Sequence, residues 1–240
     1  MRRVSRGAAI IWSVIPSCNR ALYGAAKALL LAGGKLMFRL RHEGVEHVPR
    51  EGGLIIASNH QSHLDPPMIG VGVPRFIHFM AKRELFKNRL LGWFMRNVGV
   101  ILVDRSQGRG ALESALACLK EGGTVMIFPE GTRSLTGRIN RGRKGVAVIA
   151  HRSGAAVLPG CIEGSKKCFP VGSKTIKPGR IKVRFAKPLR FEHIPEGTIP
   201  ESVLAETTKK IMDAIEELAP PEMRPLPEEK AKWYREEGAA

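Results

Sequence analysis

The chain first changes its hydrophobic pattern clearly near residue 54, and that change predicts a strand, a turn and a helix. Residues 54–58 read Leu-Ile-Ile-Ala-Ser, an apolar run typical of a short strand buried on both faces. Pro66 suits the first position of a helix, with Asp65 as its N-cap. His60 therefore follows a strand directly, and the residues between it and Asp65 are predicted to form a turn.

The rest of the chain continues this alternation of short apolar runs with amphipathic segments. Such an order predicts an α/β fold, in which a mainly parallel central sheet is flanked by helices. Strands are predicted over residues 38–48, 54–58, 76–80, 99–103, 124–128 and 181–185, with another starting at Ala156, and helices over 84–97, 110–120, 145–151 and 200–218.

Residues 1–41 are apolar and basic, and Pro16 divides them into two segments. The first apolar run is too short to span a bilayer. In the second segment Arg20 and Lys27 lie opposite a line of leucines, which predicts an amphipathic two-helix segment lying in a membrane interface. The alternative is a helix whose apolar face packs on the protein's own core. The leucines are Leu22, Leu29, Leu36 and Leu40.

Three regions are expected from these patterns. Residues 1–41 are the membrane-association segment, and residues 42–219 are the α/β domain. Residues 220–240 are rich in proline and charge, so we expect a polar tail that is only partly ordered.

Composition narrows the range of partners. The formal net charge of +17 favours anionic partners such as a membrane surface or a phosphate-bearing substrate. Aromatic residues make up only 6% of the chain, which is few for stacking on bases, so nucleic acid is not expected as a partner. The cysteines are widely spaced, which predicts free thiols in a reducing compartment. They are Cys18, Cys118, Cys161 and Cys168.

His60 and Asp65 are the first candidates for chemistry. Residues five apart on a helix differ by roughly 140°, so a turn is needed to bring the carboxylate to the imidazole. There Asp65 would hold one ring nitrogen and leave the other to accept a proton from a hydroxyl. A histidine near an aspartate is also a common structural contact, and His60, His63 and Asp65 could instead bind a metal. These residues alone do not decide between the alternatives.

Two further predicted strand ends carry polar residues. Asp104 and Arg105 follow one strand, and Glu130 and Arg133 follow another. The carboxyl ends of parallel strands meet at one edge of a sheet, so these groups should lie near His60. Gly131 lets the backbone approach a ligand closely, and Arg133 can bind a phosphate through two hydrogen bonds.

Four segments in this order resemble the motifs of the 1-acylglycerol-3-phosphate acyltransferases, within the glycerolipid acyltransferase superfamily. The resemblance covers roughly residues 50–165. One histidine and one aspartate five apart are weak support, whereas four motifs in this order and spacing are strong. The segments are Asn59-His60-x-Ser62-x-x-Asp65, residues 100–105 (VILVDR), residues 128–134 (FPEGTRS) and residues 157–160 (VLPG).

The resemblance implies acyl transfer from acyl-CoA or acyl-carrier protein to the sn-2 hydroxyl of 1-acylglycerol 3-phosphate, which gives phosphatidic acid. By this resemblance His60 is the general base and Asp65 orients it. No cofactor or metal is implied. The expected location is the cytoplasmic face of the cell membrane, as a peripheral or monotopic protein. The implied substrate-binding residues are Lys82, Arg105, Glu130, Gly131, Thr132 and Arg133.

Three alternatives remain open at this point. The same chemistry could act on another acceptor, such as glycerol 3-phosphate or a different lysophospholipid. A non-catalytic basic protein bound to a membrane or to nucleic acid would explain the charge but not the polar strand ends. A metal hydrolase would use His60, His63 and Asp65.

Overall fold

The computed structural model describes residues 19–82, 89–97, 101–103 and 108–235. Within those residues seven strands form one sheet. The strands are β1 (Arg41–Glu43), β2 (Leu54–Ser58), β3 (Ile77–Lys82), β4 (Ile101–Val103), β5 (Thr124–Ile127), β6 (Ala156–Glu163) and β7 (Lys182–Phe185). The α-helices are α1 (Arg20–Phe38), α2 (Asp65–Gly72), α3 (Arg89–Asn97), α4 (Gly108–Lys120), α5 (Gly145–Ser153), α6 (Ser165–Cys168), α7 (Glu201–Leu218) and α8 (Pro227–Arg235).

The strand order is β1-β7-β6-β2-β5-β3-β4. Every neighbouring pair is parallel except β6 and β7, so the predicted mainly parallel α/β sheet is confirmed. β2 lies in the centre, between β5 and β6. Because β2 and β5 are parallel neighbours, their carboxyl ends lie side by side, which places the residues after them at one edge of the sheet.

Both faces of the sheet are covered, which explains why β2 is apolar throughout. Ile55 and Ala57 belong to one core cluster, whereas Leu54 and Ile56 belong to the other. Helices α4, α5 and α7 supply the first cluster. Phe38 at the end of α1, together with α2, contributes to the second. The domain is therefore a layer of helices on each side of a buried sheet.

Helix α1 packs on α2 through a face that is not the leucine face. Gly34 is buried, and a Cβ built on it would lie 2.7 Å from Leu40 and 3.3 Å from Met68, so the glycine permits this close packing. On the same side Lys27 donates a hydrogen bond to the carbonyl of Val73. The leucine face of α1 therefore points away from the domain.

The N-terminal prediction holds in part. Leu29 is 75% exposed and Leu36 is 88% exposed, as a membrane-facing stripe requires. Leu40, however, lies beyond the end of α1 and is buried in the core, so its assignment to the stripe was wrong. Lys27 faces the domain rather than a headgroup layer. The first of the two predicted helices lies outside the described residues.

Three further predictions differ from the structure. The strand predicted over residues 38–48 is only β1, because α1 runs to Phe38 and Gly44 adopts a left-handed conformation (φ +72°) that ends the strand. Helix α2 begins at Asp65 rather than at Pro66, with Leu64 as its N-cap. Residues 220–235 are not a loose tail, since Met223 is buried in the core and α8 pairs with α7 through Lys230.

The described cysteines match the prediction of free thiols. Cys118, Cys161 and Cys168 are buried and unpaired by disulfide. Burial raises the pKa of the Cys118 and Cys161 thiols to about 12 each, so both are inert protonated groups near neutral pH. Cys18 lies outside the described residues.

Candidate active site

The carboxyl end of β2 is fixed to β6 by one side chain. Asn59 is buried, its amide nitrogen donates to the carbonyl of Ile162 at 3.0 Å, and its side-chain oxygen accepts the Ile162 N–H at 2.8 Å. These two bonds stand in for a strand pairing at the point where the chain leaves the sheet. His60, the next residue, is thereby held at the edge of the sheet.

The imidazole of His60 is oriented on two sides. Its Nδ1 lies 2.8 Å from Oδ2 of Asp65. The ring stacks on Phe128, with 4.0 Å between ring centroids and 16° between planes. Within the described part of the chain Nε2 has no hydrogen-bond partner, and the side chain is 17% exposed. The ring therefore presents one nitrogen to an incoming group.

Asp65 is fully buried and serves as the centre of the turn that follows β2. Its Oδ2 accepts the backbone N–H of Gln61 at 2.6 Å and of Ser62 at 2.7 Å, in addition to the contact with His60. Backbone donors stabilise the ionised carboxylate, which in turn favours the tautomer of His60 that carries its proton on Nδ1. The turn predicted from the five-residue spacing is thus present, although the carboxylate bonds the turn rather than capping its own helix.

The peptide groups on both sides of His60 are fixed to the segment after β5. The His60 N–H donates to Oε1 of Glu130 at 2.8 Å, and the His60 carbonyl accepts the Ser134 N–H at 2.7 Å. The loop at residues 128–134 therefore does more than line the site. It sets the backbone position of the histidine, which the sequence did not indicate.

Glu130 is 3% exposed, and protein donors use both of its oxygens. Oε1 accepts the His60 N–H, while Oε2 accepts the backbone N–H and the side-chain amide of Asn140. Burial raises the pKa of Glu130 to about 7, although the three hydrogen bonds oppose that rise. The sequence predicts that Glu130 binds substrate. The buried, hydrogen-bonded carboxylate instead fits a residue that positions His60.

The Glu130→Gln variant should lose both activity and stability. An amide can accept on one side only, so it would place an N–H against either His60 or Asn140 and leave a buried donor unpaired, which costs about 1–3 kcal/mol. We expect kcat to fall about 10–100-fold because the histidine shifts. Steady-state kinetics and urea denaturation measure the two effects, and Glu121→Gln, in the exposed turn after α4, is the control.

The raised pKa of Glu130 also gives a pH dependence with a defined sign. A carboxyl group whose pKa is higher in the folded state than in the unfolded state stabilises the fold at low pH and loses this contribution as pH rises from about 4.5 to about 7. The stability advantage of wild type over Glu130→Gln should therefore be smaller at pH 8 than at pH 5. An advantage independent of pH would contradict the assignment.

Arg133 lies on the same side of the sheet as the histidines. Ser134, the next residue, donates its N–H to the His60 carbonyl at 2.7 Å. Partial desolvation lowers the pKa of His63, and the positive charge of Arg133 lowers it further. Arg133 is partly exposed and Thr132 is exposed. Gly131 has φ +72°, which permits the turn, and a Cβ there would lie 2.8 Å from Nε of Arg143. Arg143 thus lies across this turn.

Two of the predicted substrate-binding residues cannot be placed. Lys82 is the last residue of β3, but its side chain lies outside what the structure describes, as does Arg105 entirely. Among the described residues no group of three or more His, Cys, Asp or Glu side chains is arranged to hold a metal ion. Phe128, Ser134 and Asn140 support the site and were not identified from sequence. Each lies in or near the residues 128–134 motif, which was the one available signal.

Comparison with known proteins identifies the family. The family model described as "Acyltransferase" matches residues 39–163, more than half of the chain and the whole of the site described above. A 1-acyl-sn-glycerol-3-phosphate acyltransferase of Bacillus subtilis is 33% identical over 178 residues, which cover 72% of this chain and 84% of that protein. The chain belongs to this acyltransferase family. Helices α7 and α8 lie beyond the matched region.

Two other members extend the comparison. The chloroplastic acyltransferase of Arabidopsis thaliana is 30% identical over 184 residues, and the chain spans half of its length. The crystal structure of the 1-acyl-sn-glycerophosphate acyltransferase PlsC from Thermotoga maritima superimposes with a TM-score of 0.67 at 30% identity, covering 82% of this chain and 79% of that one. The comparison of structures and the comparison of sequences therefore identify the same family.

Proposed function

We propose that this acyltransferase moves a fatty acyl chain from a thioester donor to the sn-2 hydroxyl of 1-acylglycerol 3-phosphate, giving phosphatidic acid. The relatives named above carry this acceptor in their names. The observation that carries the proposal is the 2.8 Å contact between Nδ1 of His60 and Oδ2 of Asp65, at the edge of the sheet where Ser134, next to Arg133, donates its N–H to the His60 carbonyl. A purely structural histidine would not need to leave Nε2 without a hydrogen-bond partner among the described residues.

The geometry supports a direct transfer with His60 as general base. With Nδ1–H bonded to Asp65, Nε2 takes the proton of the acceptor hydroxyl as its oxygen attacks the thioester carbonyl. The carbon–sulfur bond then breaks, and the thiolate leaves with the proton that His60 carried. Asp65 stabilises the imidazolium between these steps. No protein nucleophile is required.

The acceptor phosphate is assigned to the basic end of the site. Arg133 supplies the guanidinium, and the positive φ of Gly131 permits the turn that precedes it. Thr132, which is exposed, is a further hydrogen-bond donor. Lys82 and Arg105 are assigned here by family resemblance. Glu130 acts from behind the site by holding the His60 backbone.

The proposed function is tested by an assay of thiol release. Purified protein is given an acyl-CoA or an acyl-carrier protein with each of three acceptors: 1-acylglycerol 3-phosphate, glycerol 3-phosphate and 1-acylglycerophosphocholine. Thiol release should be fastest with the first acceptor, and the product should be phosphatidic acid by mass spectrometry. If glycerol 3-phosphate or the choline lipid were preferred, that compound would be assigned as the acceptor instead. If no combination of donor and acceptor released thiol, the enzyme assignment would be refuted.

Arg133→Gln should mainly weaken binding of the acceptor. Hydrogen bonds to a charged group contribute about 1.5–3 kcal/mol, so the KM for 1-acylglycerol 3-phosphate should rise about 10–100-fold. The KM for the donor should change less than threefold. Arg138→Gln is the matched control, because Arg138 lies in the same loop as Arg133 but its guanidinium donates to the carbonyl of Arg224. A rise in the donor KM alone would move Arg133 to the donor site.

We further propose that α1 rests on the cytoplasmic face of the membrane. In the described part of the chain it is the one helix long and apolar enough to be a candidate span. Lys27 and Gly34, however, pack against the domain. This packing favours a helix lying along the surface, with the exposed stripe in the lipid. The stripe consists of Leu29, Leu30, Leu36 and Met37.

Leu36→Glu should reduce binding to membranes. Burying a leucine contributes about 1.5–3 kcal/mol, and a carboxylate adds repulsion from anionic lipid, so the partition coefficient should fall at least about tenfold. Sedimentation with vesicles of phosphatidylglycerol and phosphatidylcholine measures it. Leu226→Glu is the control, since this exposed leucine precedes α8 on the other face of the sheet. If both variants lost vesicle binding equally, the proposal that this stripe contacts the lipid would be wrong.

A further inference from the structure

A cavity of about 480 Å³ lies behind the site, between the segment after β5 and helix α8. Three cations line it, Arg141, Arg143 and Lys144, together with Trp233. Glu130 lies in the same wall, but its oxygens already accept hydrogen bonds from His60 and Asn140. The cavity is therefore strongly cationic with one aromatic wall.

The wall of the cavity is built by the fold rather than by a loose surface. The Arg143 N–H donates to the Pro129 carbonyl at 2.8 Å, which ties this segment to the end of β5. Lys230, one turn before Trp233, bonds Asp213 at 2.8 Å and Glu216 at 2.5 Å on α7. Lys144 also pairs with Glu201 at the start of α7. The indole and the cations are thus positioned from separate elements.

The proposed acceptor does not explain this combination. Its headgroup is one phosphate with no aromatic ring, and Arg133 is already assigned to it. Several cations beside an indole suit a ligand with several phosphates and a planar base, since guanidinium groups bind phosphates and an aromatic face stacks on a base. Among thioester donors, coenzyme A carries a diphosphate, a ribose phosphate and an adenine. The arm of a carrier protein carries one phosphate and no base.

The cavity is also close enough to serve the reaction. Glu130 joins the cavity wall to the backbone of His60. The side chain of Arg143 lies across Gly131, so it borders both the cavity and the turn that carries Arg133. We propose that this cavity binds the phosphorylated adenosine end of an acyl-CoA donor, with the pantetheine arm running past Gly131 to His60. This inference rests on the proposed function for its donor.

Binding and turnover are measured separately to test it. Calorimetry with coenzyme A and with adenosine 3′,5′-bisphosphate should detect binding to wild type, and Trp233→Ala and Arg143→Gln should each weaken it about tenfold. The KM for acyl-CoA should rise by the same factor while the KM for the acceptor stays within twofold. With the matching acyl-pantetheine, which lacks the nucleotide, the variants should equal wild type. Arg190→Gln, an exposed cation beyond β7, should change none of these values.

Several results would overturn the inference. One is that neither nucleotide binds to wild type. Others are that the two variants lose as much activity with acyl-pantetheine as with acyl-CoA, or that their KM for the acceptor rises. The last is that wild type accepts acyl-carrier protein as donor but not acyl-CoA. If no donor supports thiol release but calorimetry shows the predicted losses, the proposed function fails while the nucleotide site stands. A misfolded variant is recognised by its melting temperature, and competition of adenosine 3′,5′-bisphosphate against acyl-CoA on wild type then decides.

Discussion

The His60→Ala variant is expected to lose acyl transfer almost completely while keeping its fold. A positioned general base contributes about 10²–10⁴-fold to rate, so thiol release with 1-acylglycerol 3-phosphate should fall by that factor at saturating substrates. The imidazole is partly exposed, and its ring contacts are with Phe128 and Asp65 at the edge of the sheet rather than in the core. The midpoint of thermal unfolding and binding to vesicles should therefore change little.

The neighbouring histidine provides a matched control. His63 is exposed, lies in the same turn and makes no hydrogen bond to Asp65. His63→Ala should keep activity within a few-fold of wild type. If both variants lost activity and a chelator did the same to wild type, the metal hydrolase alternative would be favoured. If His60→Ala retained more than a tenth of the rate, His60 would not be the base.

The contact between His60 and Asp65 was within reach of the sequence because it is local. Five residues, a proline after the aspartate and an apolar run before the histidine predict a strand and a turn without long-range information. The approach of the segment after β5 was also predictable, because parallel strands end at one edge of a sheet. The order of the strands, which makes β2 and β5 neighbours, follows from packing of the whole domain.

The supporting contacts were not predictable, because they too depend on the order and register of the strands. Ser134 reaches the His60 carbonyl, and Asn59 reaches Ile162, only once three strands are in register. Glu130 shows the consequence most clearly. The motif indicates a polar residue near the substrate, but only the structure shows that its carboxylate is buried against His60 and Asn140. A sequence motif identifies which residues meet, whereas burial determines what each can do.

Helix α1 shows a different limit of pattern reading. Its leucine period correctly predicts an apolar stripe, yet the period continues to Leu40, which leaves the helix and enters the core. Arg39 adopts a left-handed conformation (φ 44°) at the helix end, and nothing in the spacing of the leucines signals that turn. Hydrophobic period gives the face of a helix more reliably than its last residue.

Asp65→Asn should reduce kcat about as severely as loss of the histidine. If the amide oxygen replaces Oδ2, the N–H groups of Gln61 and Ser62 remain satisfied but the negative charge beside the imidazolium is gone. If the amide nitrogen faces His60 instead, it donates to Nδ1, the ring carries its proton on Nε2, and the base is lost. Either arrangement should lower kcat about 10²–10⁴-fold.

The readout must separate this effect from instability. Replacing charge-assisted hydrogen bonds in a fully buried group should cost about 1–3 kcal/mol of unfolding free energy. The kinetics should therefore be measured at a temperature well below the midpoint of thermal unfolding of the variant. The KM for the acceptor should change less than threefold, because the phosphate is assigned to Arg133. A raised KM with an unchanged kcat would mean that Asp65 shapes the binding site only. Near-normal kcat in a folded Asp65→Asn protein would show that the imidazole works without a charged partner, and the proposed mechanism would then be wrong.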